Sequence, residues 1–308
     1  MTGERALWYC ASMQIKENSQ LPLKASLFTV FLSTLFGANA VAVKITFNGI
    51  GVFSCAGLRF GLAAIVISIW AVSTGRSLRV NRQQAYRLLV VSFLFTAQVA
   101  LFYTGLSRTT ASHGILIANF LPFVVLLLAH FFIPGERVTI RKAVGIVLGF
   151  IGVLVLVFDT QVVDASVRSG DFIIFCAVLF WGTNAVYIKR IISSTNPVLV
   201  TLYPMLLAVP CLLLAGWFFD NGMIRHVDLP IGLSLFYQSF ITASFGYIAW
   251  NTLVSEYGTA LIHSYVFIMP VSGVFFGVVL LGEPLTLSLL GSIIFIVLGI
   301  AIINQKNG

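Results

Sequence analysis

"LFWGTNAVYIKRI", Leu179 to Ile191, nearly repeats an earlier stretch, "LFGANAVAVKIT", Leu35 to Thr46. Gly37/Gly182, Asn39/Asn184, Ala40/Ala185, Val41/Val186 and Lys44/Lys189 coincide at one shift of 145 residues. The repeat widens from there. "PGERVT" (Pro134–Thr139) closes one apolar run and "LGEPLT" (Leu281–Thr286) closes another. Pro122 and Pro270 lie inside those two runs, and Gly152 of the next run aligns with Gly299.

Composition says what these runs are for. Hydrophobic residues make up 59% of the chain and charged residues 9%, with a mean hydropathy of +1.01. A water-soluble domain carries about 25% charged residues, so this chain cannot cover a water-facing surface. A membrane-spanning helix needs about 20 mostly apolar residues. Ten such runs are expected, near 25–44, 53–73, 88–107, 111–133, 139–158, 171–191, 197–219, 231–253, 259–281 and 286–304. They are long and continuous, so helices are expected and not the short alternating strands of a barrel. Short connections such as "NGIG", "STGR", "IPGE" and "DNG" carry the turn residues.

Runs one to five therefore match runs six to ten. Five is odd, so the second copy enters the bilayer from the opposite face, which is the architecture of secondary transporters. The expected fold class is an all-α integral membrane protein of ten transmembrane helices in two inverted five-helix repeats. Its parts are an N-terminal segment 1–22, a first repeat 23–159 and a second repeat 171–304. With the N-terminus inside, thirteen of the 18 lysines and arginines fall in segments on that side. Lys44, Arg108, Arg168 and Arg225 fall on the other, and Arg59 lies within the second run. That bias places both termini in the cytoplasm of a multi-pass protein of the cell (plasma or inner) membrane. It also explains the net charge of +8 without nucleic acid. "ALWYCASM" near the start lacks the layout of a signal peptide, and Met13 is an alternative start to Met1.

"LFGANAVAVK", "AGLRF", "PGERVTIRKAVGIVLGFIGVLVL" and "LGEPLTLSLLGSIIFIVLGIAII" resemble the EamA family of the drug/metabolite transporter superfamily, over nearly the whole chain from Leu23 to Asn304. The resemblance implies a ten-helix transporter. Its central cavity would be lined by helices one to four and six to nine, with five and ten peripheral. Many relatives export amino acids or other small metabolites.

Polar side chains inside hydrocarbon must find partners or line water, so they are the candidate site. Asn39 and Asn184 read either as helix–helix glue or as amides facing a central solute. His113 and His263 are packing histidines, carboxylate ligands or proton carriers. Tyr103, Trp181, Trp250 and Tyr265, with Gln98 and Asn119, are candidates to line a cavity for an amphipathic solute. Lys44 and Lys189 close their helices, where lysines snorkel to headgroups and complement the helix dipole, or draw an anionic solute to each mouth. Arg59 is expected to anchor the outer interface or to gate. Glu136 and Glu283 read as structural, favoured at helix N-termini, with Thr139 and Thr286 as caps. Glu256 is a weaker gating candidate. Pro122 and Pro270 are hinge candidates. Trp8, Trp70 and Trp217 read as interfacial.

No phosphate-binding loop, metal-ligand spacing, paired catalytic carboxylates or cofactor motif is present. No catalytic residue, metal or cofactor is therefore expected. The partners are a small-molecule substrate and the lipid bilayer. Protons as coupling ion and a homodimer are both compatible with the sequence. The reading is a secondary-active transporter that exports a small organic metabolite, an amino acid or similar, by alternating access. The rivals are an integral-membrane enzyme or a channel.

Overall fold

The computed structural model describes residues 21–158, 165–192 and 195–304. The expected segment 1–22, apart from its last two residues, lies outside them, and with it Trp8 and Met13.

Among the described residues, ten apolar helices run back and forth, three of them interrupted. They are α1 (Leu23–Thr46), α2 (Val52–Ser73), α3 (Arg82–Arg108), α4 (Ala111–Ala118 and Leu121–Phe132) and α5 (Ile140–Val157). The second set is α6 (Ala165–Ile191), α7 (Pro197–Phe219), α8 (Leu229–Tyr257), α9 (Thr259–His263 and Ile268–Leu281) and α10 (Leu287–Asn304). Two helices start earlier than their apolar runs imply. At α3, Asn81 and Gln84 form a reciprocal capping box, which satisfies N–H groups at the first turn and starts the helix at Arg82. Helix α6 begins at Ala165, so Asp171 lies almost two turns inside it.

Three helices are interrupted. Helices α4 and α9 break at Asn119–Phe120 and at 264–267, and Pro122 and Pro270 each follow a break. Proline has no N–H to give to the carbonyl four residues back, so the hydrogen-bond ladder stops there in both repeats. Helix α8 widens to π-helix over Tyr237–Gly246.

The packing shows how the two sets relate. In α5 and α10, Gly145 approaches the Gly299 carbonyl and Gly152 approaches the Ser292 carbonyl. In α2 and α7, Gly216 lies against Ser54, Gly57 against Leu213 and Gly61 against Val209. Rising residue numbers on one helix meet falling numbers on the other. Equivalent helices of the two sets are therefore antiparallel, which is what an inverted repeat demands and a direct repeat forbids. Glycines allow these crossings because a Cβ would strike opposing backbone or side chains. The buried core, including Tyr103, Phe123, Ile174 and Leu202, lies among the helices. Large apolar residues such as Ile69, Phe131, Trp217 and Phe275 face outwards, as lipid contact requires.

Candidate functional site

Each repeated asparagine bonds a helix of the other half, one as acceptor and one as donor. Asn39 of α1 accepts at Oδ1 from the Thr242 hydroxyl of α8, 3.0 Å away. Asn184 of α6 donates from Nδ2 to Gln98 Oε1 of α3, at 3.4 Å. Helices α3 and α8 hold the third place in each half, so each asparagine reaches across to the other half. Asn184 is buried and its Oδ1 has no partner. Asn39 is only partly buried.

Around Asn39 a larger polar network gathers. Arg59 of α2 donates from Nη1 to the Tyr103 hydroxyl (3.1 Å) and from Nη2 to Thr242 Oγ1 (3.5 Å). The Tyr103 hydroxyl donates to Gln238 Oε1 (3.3 Å), and Gln238 Nε2 donates to Thr46 Oγ1 (2.8 Å). Gln238 and Thr242 lie on the π-helical segment, four residues apart, and both reach α1. π-Helical turns concentrate at functional sites. Arg59 thus points into the bundle. Partners on α3 and α8 hold the guanidinium among helices, about 10 Å along α2 from its start at 1.5 Å per residue.

One end of the bundle holds a buried charged cluster. Asp171, 1% exposed, accepts from the Thr109 hydroxyl at 2.5 Å and pairs with His113 Nδ1 at 2.9 Å. Glu283 accepts from the N–H groups of Ala111 (2.6 Å) and Ser112 (2.9 Å). It caps a helix, as expected of a glutamate at an N-terminus, but the helix belongs to the other half. Lys44 Nζ donates to the carbonyls of Leu106 (3.2 Å) and Thr109 (2.7 Å). Its charge complements the C-terminus of α3, where headgroups were expected. A shallow depression of about 350 Å³ lies over Lys44, Arg108, Thr110 and Glu283. Nearby, Asp220 accepts from Phe53 and Ser54 N–H, and Arg225 donates to the Phe47 carbonyl.

The opposite end, eighteen residues along α6 from Asp171, or about 27 Å, is built differently. Lys189 and Glu136 meet directly at 2.6 Å on the surface. The Lys189 ammonium bonded to Glu136 holds that carboxyl below its usual value. Ser26, which stands 145 residues before Asp171, bonds the Tyr265 hydroxyl at 3.0 Å. Trp250 stacks edge-on against Phe36 (5.8 Å) and His263 (5.7 Å). Thr139 and Thr286 cap α5 and α10.

The structure therefore brings Asn39, Arg59 and Tyr103 together, and Asn184 with Gln98. It puts Lys44 and His113 at one end, and Lys189, Trp250, His263 and Tyr265 at the other. Trp181 is exposed, and the Asn119 amide is spent on the Ile115 carbonyl of its own helix. Sequence reasoning missed Asp171 and Thr242. Asp171 fell at the edge of its apolar run; an acidic residue inside an apolar helix was the available signal.

The model of the EamA-like transporter family matches twice, over residues 23–158 and 168–305. The chain belongs to the EamA-like transporter family. It is a multi-pass membrane transporter for small molecules. It is 28% identical to the uncharacterized transporter YyaM of Bacillus subtilis, over 78% of this chain and 80% of that one. It is 27% identical to a probable amino-acid metabolite efflux pump of Escherichia coli, over 88% and 92%. A solved structure entitled "Crystal structure of protein" superposes with a TM-score of 0.69 at 19% identity, covering 91% of this chain and 97% of the other.

Proposed function

We propose that this EamA-like protein exports a small organic metabolite, an amino acid or a similar solute, by alternating access. The carrying observation is the mirrored pair of bonds, Asn39–Thr242 and Asn184–Gln98. Each ties one half to the other at equivalent places. Inverted halves can exchange conformations, and each exchange opens the middle to the other side. Residues 23–159 and 171–304 are the two exchanging units. The lysine and arginine bias supports cytoplasmic termini in a cell (plasma or inner) membrane, which puts the Lys44 end outside. The breaks before Pro122 and Pro270 serve as hinges. The name of the Escherichia coli relative supports efflux of an amino-acid metabolite. The His113–Asp171 pair, with Thr109 beside it and Lys44 and Glu283 on adjoining elements, is the proposed proton site if transport is proton-coupled.

Solute counterflow in proteoliposomes tests the reading. Saturable counterflow supports a carrier; a channel or an enzyme gives none. Counterflow lost in the double variant Asn39→Ala plus Asn184→Ala supports the central placement, and unchanged counterflow removes those two residues. Light scattering from detergent-free discs decides between monomer and homodimer.

A further inference from the structure

Arg59 is a guanidinium inside a membrane bundle, and its partners are all neutral. Among the described residues, no Asp or Glu carboxylate lies within ion-pair distance of it; the acidic–basic pairs are His113–Asp171 and Lys189–Glu136. A guanidinium offers five N–H donors. Here one goes to Tyr103 and one, at long range, to Thr242. Nε is buried without an acceptor. A cation held in such surroundings without a counter-charge is expensive, and the Phe60 ring 5.0 Å from the guanidinium carbon offsets only part of that cost.

A second donor lies beside it. Asn39 spends its Oδ1 on Thr242, and among the described residues its Nδ2–H₂ has no partner. Thr242 Oγ1 is shared between Asn39 and Arg59, so the free amide and the guanidinium flank one hydroxyl. Both residues keep accessible surface, whereas Tyr103, Gln238 and Thr242 behind them are buried. The two donors stand beside one hydroxyl, the net charge there is positive, and among the described residues no carboxylate pairs with it. The cation is also unrepeated: 145 residues on from Arg59 stands Pro204. The symmetry of the fold therefore does not require an arginine, and one half alone carries the charge.

We propose that Arg59 and Asn39 form the subsite that binds the carboxylate of the transported solute. The proposal rests on the transport reading and deepens it. An arginine fork takes a carboxylate through two parallel N–H···O bonds. The bound anion supplies the missing counter-charge, and the Asn39 amide fixes its orientation. Release follows when α1 and α8 part, because Asn39 sits on the first and Thr242 on the second.

The test is thermal stability of the purified full-length chain in lipid discs. The twenty L-amino acids and a set of four- to six-carbon monocarboxylic acids are each run beside the primary amide. The expected result is stabilisation by at least one acid, with the amide needing about 10- to 100-fold more for the same effect. In Arg59→Gln that acid-over-amide advantage disappears. In Arg59→Lys it shrinks, since charge remains but the fork is gone. Equal effects of acid and amide overturn the proposal. So does an acid preference that survives in Arg59→Gln, or stabilisation by neutral compounds alone, or by none. A purely structural Arg59 lowers the unliganded melting temperature in the variant and leaves the acid–amide ratio unchanged. If Arg59→Gln does not fold, the wild-type acid–amide comparison and Arg59→Lys decide. Counterflow of a neutral compound overturns the carboxylate subsite and leaves transport standing; absence of counterflow for every compound removes transport itself.

Discussion

At the Lys44 end a lysine and a glutamate each satisfy backbone groups of neighbouring helices, beside a buried His113–Asp171 pair. At the Lys189 end the equivalent lysine and glutamate meet each other at the surface, with side chains 51% and 35% exposed. The residues are copies, yet their surroundings differ. Two inverted copies in one conformation cannot be identical at both ends if one end is closed more tightly. On the alternating-access reading the Lys44 end is the closed one, and its lysine and glutamate are the closure.

The largest effect that can break this comparison is at Asp171. Replacing it with alanine leaves His113 and Thr109 without their buried partner, and loss of one member of a buried pair costs about 3–5 kcal/mol. Ser26→Ala, at the equivalent place, removes two neutral hydrogen bonds, from the Tyr265 hydroxyl and to the Leu21 carbonyl, and costs about 1–2 kcal/mol. Denaturant unfolding in mixed micelles measures both. Similar values would mean that the two ends are equally strong.

The repeated glycines come next. A Cβ on Gly37 would meet the Met269 carbonyl oxygen at 2.6 Å and Ser272 Oγ closer still, so backbone must move. On Gly182 it would meet the Val124 side chain first. Overpacking costs about 1–3 kcal/mol. Gly37→Ala is expected near the top of that range and Gly182→Ala near the bottom. A reversed order in melting temperatures would contradict the assigned helix contacts.

Glu283→Ala removes a carboxylate from two N–H groups at the start of α4 and is expected to lose about 2 kcal/mol. Its copy, Glu136→Ala, is expected to lose less than about 1 kcal/mol, because exposed ion pairs are screened. If transport is intact, Glu283→Ala also raises the accessibility of a cysteine placed at Thr110, read by thiol labelling. Unchanged labelling would deny Glu283 a closing role.

The smallest effect is a pH dependence. Glu136 has a lowered pKa in the folded protein. It therefore adds stability above the ordinary carboxylate range and loses it as pH falls through the lowered value. The gain stays below about 1 kcal/mol and fades with added salt. Melting curves of wild type and Glu136→Gln from pH 3 to 7 should converge at the acid end. Parallel curves would show that the pair contributes nothing.

Hydropathy, the 145-residue repeat and the odd number of runs were enough for ten helices, two inverted halves and the paired Asn, Lys, Glu and Pro residues. These are local or periodic properties, and a helix in lipid has few alternatives because its backbone must bond internally. Partners were not legible. Asp171 finds His113 and Thr109 from 58 and 62 residues away, and Glu283 caps a helix about 170 residues before it. Arg59 turns inward because Tyr103 and Thr242 stand on helices that only folding brings beside it. A chain records which polar groups must be satisfied; three-dimensional packing decides which groups satisfy them, because in a helical bundle neighbours in space are set by the crossing of helices and not by distance along the sequence.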